Sequence, residues 1–163
     1  MIVQKIISGG QTGVDTIGLE VGRQLGIETG GTIGKGFVRE KGVDSYSVED
    51  LMGFGIKEIS DDLQRGFWGK SVYLPRTEQN VINSVGTVYF NVVDSSSGLN
   101  LTKKFASKYN KPFILNPTPN MLSSWLRENK VTVLNVAGNR GSHLTACEFN
   151  TIKDVLIKGI LRS

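Results

Sequence analysis

The chain has 163 residues, 39% of them hydrophobic and 21% charged, enough for one domain with a real core and too apolar for wholesale disorder. A net charge of +4 without any Lys/Arg run, a lone Cys147 and a lone His143 exclude a disulfide scaffold and Cys- or His-based metal clusters, and favour a small anionic partner over nucleic acid. No apolar run approaches the length of a membrane span and Met1 to Gly10 is no signal peptide, so residues 1–163 are expected to form one cytoplasmic domain.

In chain order, Ile2, Val3, Ile6 and Ile7 read as a buried strand stopped by Ser8-Gly9-Gly10. Val14, Ile17, Gly18, Val21, Gly22 and Leu25 follow at helical spacing. Gly26 stands where a helix stops, and Gly18 and Gly22 would let that helix lie close on a sheet. Thr29 to Glu58 reads as irregular, with a short helix near Val48 to Met52. Ser71 to Leu74 reads as a short strand and Gln79 to Ser84 as a helix turn. Gly86 to Val93 is a buried strand, Leu99 to Tyr109 an amphipathic helix and Lys111 to Leu115 a strand. Asn120 to Asn129 is a short helix and Val131 to Val136 a strand. A long helix spans Ser142 to Leu161, with Leu144, Cys147, Ile152, Val155, Leu156 and Ile160 inward and a capping box at Thr145/Glu148. Strands alternate with helices. The expected fold is therefore α/β, Rossmann-like, a mostly parallel sheet with helices on both faces.

Twenty glycines, against a norm of about 7%, come with no collagen period and concentrate in loops. The first strand-to-helix turn, Ser8 to Asp15, would aim backbone N–H groups and a helix N-terminus at phosphate. Its candidates are Gly9, Gly10, Gln11, Thr12 and Gly13, with Asp15 capping donors, touching a ligand hydroxyl or holding a cation. The dinucleotide fingerprint G-x-G-x-x-G and the Walker motif both fail to match. Thr29 to Gly36 reads as a glycine-rich flap tipped by Lys35. Arg76, Thr77 and Asn80 precede a buried strand, where Arg76 either clamps phosphate or pairs with Glu78 or Asp62. Ser97, Gly98 and Thr102 form a second cradle after the strongest strand. Gly138, Asn139, Arg140 and Ser142 form a third. Such loops on one edge of a parallel sheet converge on one crevice. Asp61-Asp62 reads as a solvated turn, His143 as a surface residue and Cys147 as core. Trp68 and Trp125 either join the core or flank a ring.

Four segments carry a resemblance: ISGGQTGVD from Ile7, TGGTIGKG from Thr29, RTEQNV from Arg76 and LNVAGNRGS from Leu134. In order and spacing they resemble the molybdenum-cofactor carrier family, within the wider SLOG group of Rossmann-like domains. That resemblance implies a homo-oligomer, dimer or tetramer, holding an anionic pterin (the molybdenum cofactor, molybdopterin) or a nucleotide at these loops. The phosphoribohydrolases of the group use a P-G-G-x-G-T-x-x-E loop. Here Ser95 to Thr102 lacks that Glu, so their hydrolysis does not transfer. The expected function is a binding or carrier protein with no metal site of its own. The alternatives are a nucleotide hydrolase using Asp15, Glu78 or Asp94, and a sensor that sequesters a signalling nucleotide.

Overall fold

The structure is a computed structural model that describes residues 1–65 and 73–163. Among these residues six strands form one all-parallel sheet: β1 (Lys5–Ile7), β2 (Glu28–Ile33), β3 (Ile56–Glu58), β4 (Gly86–Phe90), β5 (Phe113–Leu115) and β6 (Val133–Gly138), in the order β3-β2-β1-β6-β4-β5. Ile6 lies opposite Thr29 on one side and Leu134 on the other, and Val88 lies opposite Ile114 and Val136. β4 is buried at all five positions, as an apolar run inside a parallel sheet requires.

Seven helices are described: α1 (Val14–Leu25), α2 (Val48–Gly53), α3 (Asp61–Arg65), α4 (Tyr73–Ile82), α5 (Ser97–Lys108), α6 (Pro119–Glu128) and α7 (Ala146–Leu161). α1, α6 and α7 pack together on one face, and α4 packs with α5 on the other. The fold is therefore the expected Rossmann-like α/β arrangement with both faces covered. The main core joins Ile17 and Val21 of α1, Val88, Leu134 and Val136 of the sheet, Leu122 and Leu126 of α6 and Ile152, Leu156 and Ile160 of α7. Trp125 packs against this core, while Trp68 lies outside the described residues.

Local chemistry sets several boundaries. Gly26 ends α1 in the left-handed region at φ 68°. A Cβ at Gly18 would sit 2.8 Å from Val136, so glycine there sets how closely α1 approaches the sheet. Capping boxes start α2 at Ser47/Asp50 and α7 at Thr145/Glu148. Among the described residues no helix is long and apolar enough to cross a membrane.

Four expectations need correction. Thr29 to Gly36 is no free flap, because β2 takes Glu28–Ile33 and pairs with both β1 and β3. Leu74 belongs to α4 and not to a strand, with Ser71 and Val72 outside the described residues. Asp61 and Asp62 open α3. Cys147 is exposed. α7 starts only at Ala146, and its buried Ile152, Leu156 and Ile160 recur every fourth residue; Cys147, five residues before Ile152, is well off that stripe at about 100° per residue.

Candidate functional site

β1 and β4 lie on either side of β6, and the helices leaving them run to opposite faces. A crevice opens at the carboxyl ends of strands where such connections diverge. A cleft of about 650 Å³ occupies that place, within the size of small-molecule sites, about 300–1,000 Å³. The β1–α1 turn contributes Gly9, Gln11 and Asp15, and α4 contributes Leu74, Arg76, Thr77 and Asn80. β4 and the start of α5 add Tyr89, Val93, Ser95, Ser96, Ser97, Gly98, Leu101 and Thr102. β6 and the turn beyond it add Asn135, Ala137, Gly138, Asn139, Arg140 and His143.

Most candidate residues thus meet in one cleft: Gly9, Gln11, Asp15, Arg76, Asn80, Ser97, Gly98, Thr102, Gly138, Asn139 and Arg140. Gly10, Thr12, Gly13, Lys35 and Ser142 lie outside its lining. Lys35 is tied to Glu58 at 3.0 Å and Asp61 at 2.8 Å near the β3 edge. Gly13 is wedged between loops: a Cβ there would lie 2.5 Å from both the Asn139 carbonyl and the Gly141 nitrogen.

The first turn differs from an open phosphate cradle. The Gln11 N–H donates to Asp15 Oδ2 at 3.0 Å, the Thr12 N–H to Gln11 Oε1 at 3.0 Å and the Val14 N–H to the Asn139 carbonyl at 3.2 Å. Asp15 is the buried cap of its own loop. Arg76 reaches it from α4, Nη1 to Oδ2 at 3.4 Å. Burial pushes the Asp15 carboxyl above the usual carboxylate range, against the opposing pull of Arg76, the Gln11 N–H and Arg39.

A second carboxylate sits where the sequence pointed to a ligand anion. Thr12 Oγ1 donates to Glu40 Oε2 at 2.8 Å and the Ser142 N–H donates to the same oxygen at 3.2 Å. The Glu40 N–H bonds Gln11 Oε1 at 2.9 Å, and Arg39 Nε donates to the Gly10 carbonyl at 2.6 Å while its guanidinium pairs with Asp44. Residues 39–46 therefore strap the first loop to the last. Burial works against the Glu40 carboxylate, but hydrogen bonds from Ser142 and Thr12, with Arg140 nearby, hold it below the usual range. Glu40 carries no local sequence signal; only the fold brings it to Thr12 and Ser142.

Other polar linings are already engaged. Asn80 clamps both backbone groups of Thr32 at 2.9 Å. Asn139 Oδ1 accepts from the Val92 N–H at 2.7 Å and its Nδ2 donates to Asn91. Thr102 donates to the Gly98 carbonyl and Asn135 to Thr87. Glu78 is held by Tyr109 and Lys108 and does not line the cleft.

Among the described residues two places stand out with capacity for a ligand. One is the first turn of α5, capped by Ser96 and free of acidic residues, where Ser97 and Gly98 are exposed to the cleft. The other is Arg140, exposed at the mouth beside His143 and without an ion pair among the described residues. Among the described residues no group of three or more His, Cys, Asp or Glu is arranged to hold a metal.

Residues 6–156 match the family described as cpYpsA, "Circularly permutated YpsA SLOG family". Among solved structures, the chain is similar to one from Syntrophus aciditrophicus SB described as "Putative molybdenum carrier protein". The two share 28% identity with a TM-score of 0.71, over 99% of this chain and 94% of that one. Comparison with curated proteins gives no match.

Proposed function

The chain belongs to the circularly permuted YpsA SLOG family, and from that premise we propose that it is a binding or carrier protein for a small phosphorylated ligand, the molybdenum cofactor or a nucleotide derivative. One observation carries the reading. Of the helix starts that line the cleft, α1 holds its own Asp15 carboxylate there, whereas α5 opens on Ser97 and Gly98 with no acid in its first turn. The ligand's anionic group docks at α5, in the cleft that Arg76 and the exposed Arg140 also line. Its less polar part lies against Tyr89, Leu74 and Leu101. The name of the Syntrophus protein is consistent with a molybdenum-related cargo. The family resemblance supports a homo-oligomer, which sedimentation would establish.

The decisive variant is Ser97→Glu. An acid in the first turn suits α5 itself, by about 0.3–1 kcal/mol, while placing a negative charge at the docking point. Thermal stability is expected to hold or rise while calorimetric affinity for molybdopterin or a nucleotide panel falls at least about tenfold. Arg140→Ala is expected to lower affinity by a similar factor, since a charge-assisted hydrogen bond contributes roughly 1.5–3 kcal/mol. Unchanged affinity in both variants overturns the reading. Mass spectrometry of what co-purifies identifies the cargo.

A second reading, a nucleotide hydrolase, keeps only one of its three carboxylates in the cleft, because Glu78 and Asp94 do not line it. It stands on Asp15, a buried carboxyl held above the usual range and so suited to proton transfer. Turnover of nucleotides that is lost in Asp15→Asn would favour it over the carrier.

A further inference from the structure

Asp15 and Arg76 come from helices on opposite faces of the sheet and meet over the end of β1. Their side chains are 5% and 16% exposed. Gly9 clears the meeting point: a Cβ there would lie 1.6 Å from Arg76 Nη1 and 2.8 Å from Asp15 Oδ2. All three residues line the cleft. The strand end is thus hollowed for an ion pair that faces the ligand space.

A buried ion pair is weak support for stability, since desolvation offsets most of its attraction. In a site that receives an anion it has a chemical consequence. Among the described residues the charged groups around Asp15 are few. Arg76 faces it from α4. Arg39 approaches from the strap, but its guanidinium is spent on Gly10 and Asp44. Tyr89 faces it from β4 as a neutral phenol whose ionisation burial opposes. Arg140 and His143 line the cleft from the turn after β6. An oxyanion entering this space draws on Arg76 and repels the Asp15 carboxylate. Two negative groups cannot share one largely buried guanidinium at low cost.

Building on the reading of the cleft as an anion site, we propose that Asp15 makes it a proton-coupled one: an oxyanionic ligand takes over Arg76, and Asp15 takes up one proton from solvent as the ligand binds. One O–H bond forms on Asp15, no bond in the ligand breaks, and the neutral acid then donates to a ligand oxygen. Low pH favours loading and high pH favours release.

Sulfate is a suitable probe because it does not titrate near neutral pH. Calorimetry at pH 6.5 in PIPES and in imidazole, which differ in heat of ionisation, reports the protons exchanged. The wild-type protein is expected to take up protons, to a limit of about one per sulfate, with affinity falling up to about tenfold per pH unit at higher pH. Asp15→Asn is expected to remove the uptake and flatten the pH dependence. Should that variant fail to fold, carbon-13 NMR of the wild-type Asp15 carboxyl reads the same event as a shift toward the protonated value on adding sulfate. Sulfate binding without uptake overturns the inference while leaving the anion site standing. So does uptake that survives in Asp15→Asn and vanishes in His143→Asn. Sulfate that binds neither protein at any pH overturns the anion site and the inference together.

Discussion

Asp15 at the floor of the cleft and Glu40 under the neighbouring strap are both carboxylates held by loop donors, yet the fold moves them in opposite directions. Asp15 is buried and held above its ordinary range; Glu40 is half-buried and held below it. For Asp15, loss of water outweighs Arg76 and one backbone donor. For Glu40, less water is lost, and Thr12 with Ser142 more than repay it. Their effects on stability have opposite signs. The native protein binds more protons at Asp15 than the unfolded chain does, so that contribution declines as pH rises through its native pKa. It binds fewer at Glu40, so that contribution is lost as pH falls below the usual carboxylate range. One region is tuned to change charge, the other to keep it.

The comparison breaks most completely at Gly13, which holds the two regions in register. Its φ is 81°, and backbone atoms of residues 139–141 stand within 2.7 Å of where a Cβ would go. Gly13→Ala is expected to cost about 3–4 kcal/mol, combining positive-φ strain with overpacking that no side-chain rotation relieves. Urea denaturation measures it. A loss under about 1 kcal/mol would mean that the two loops separate freely.

Arg76→Ala sharpens the contrast from the Asp15 side. Removing one partner of a buried pair costs about 3–5 kcal/mol when burial is complete. With the Arg76 side chain 16% exposed, about 2–3 kcal/mol is expected near pH 7. The loss should shrink on acidification, because a protonated Asp15 no longer needs the cation. Denaturation at pH 7 and pH 4.5 tests the sign; a loss that grows toward acid contradicts it.

How legible these regions were follows from where their causes lie. The helix over Val14 to Leu25, its glycine contacts and the Thr145 capping box come from local patterns that the sequence prints directly. β2 does not, because in Glu28–Ile33 two adjacent glycines interrupt the β-branched Thr29, Thr32 and Ile33. It is a strand because it is zipped between β1 and β3, and because Gly31 fits against the Ser8 backbone, where a Cβ would lie 1.9 Å away. The loops that converge were readable as glycine turns after strands. Which donors stay free was not, since Asn80 and Asn139 are committed to backbone groups distant in sequence. Thr12 and Ser142 read in the sequence as donors to a ligand's anion; the anion beside them in the fold is Glu40, a residue whose own neighbours in sequence give it no distinguishing pattern.

Glu40→Ala tests the other carboxylate. Ser142 is exposed and its N–H can be rehydrated, while the buried Thr12 hydroxyl loses an acceptor, so the cost is expected to be about 1–2 kcal/mol. Amide hydrogen exchange at Gly141 and Ser142 should quicken while the interior of β4 stays protected. Equal quickening across the sheet would show that the strap supports the whole fold rather than one junction.

The smallest effect is expected at Ser142→Ala, and it separates backbone from side chain within the same clasp. The variant keeps the Ser142 N–H that bonds Glu40 at 3.2 Å and leaves the Thr12 hydroxyl at 2.8 Å in place. It removes only the exposed hydroxyl that also helps hold the Glu40 carboxylate down. A cost of about 0.5 kcal/mol is expected, with Glu40 titrating slightly higher but still opposite in direction to Asp15. Carboxyl NMR titration reads both groups in one experiment. If Glu40 rises above its ordinary range in this variant, the clasp depends on the serine hydroxyl, and the contrast between floor and strap rests on one exposed side chain. If it stays below, the contrast is carried by the Ser142 backbone N–H and the buried Thr12, which the packing of the first and last loops fixes in place.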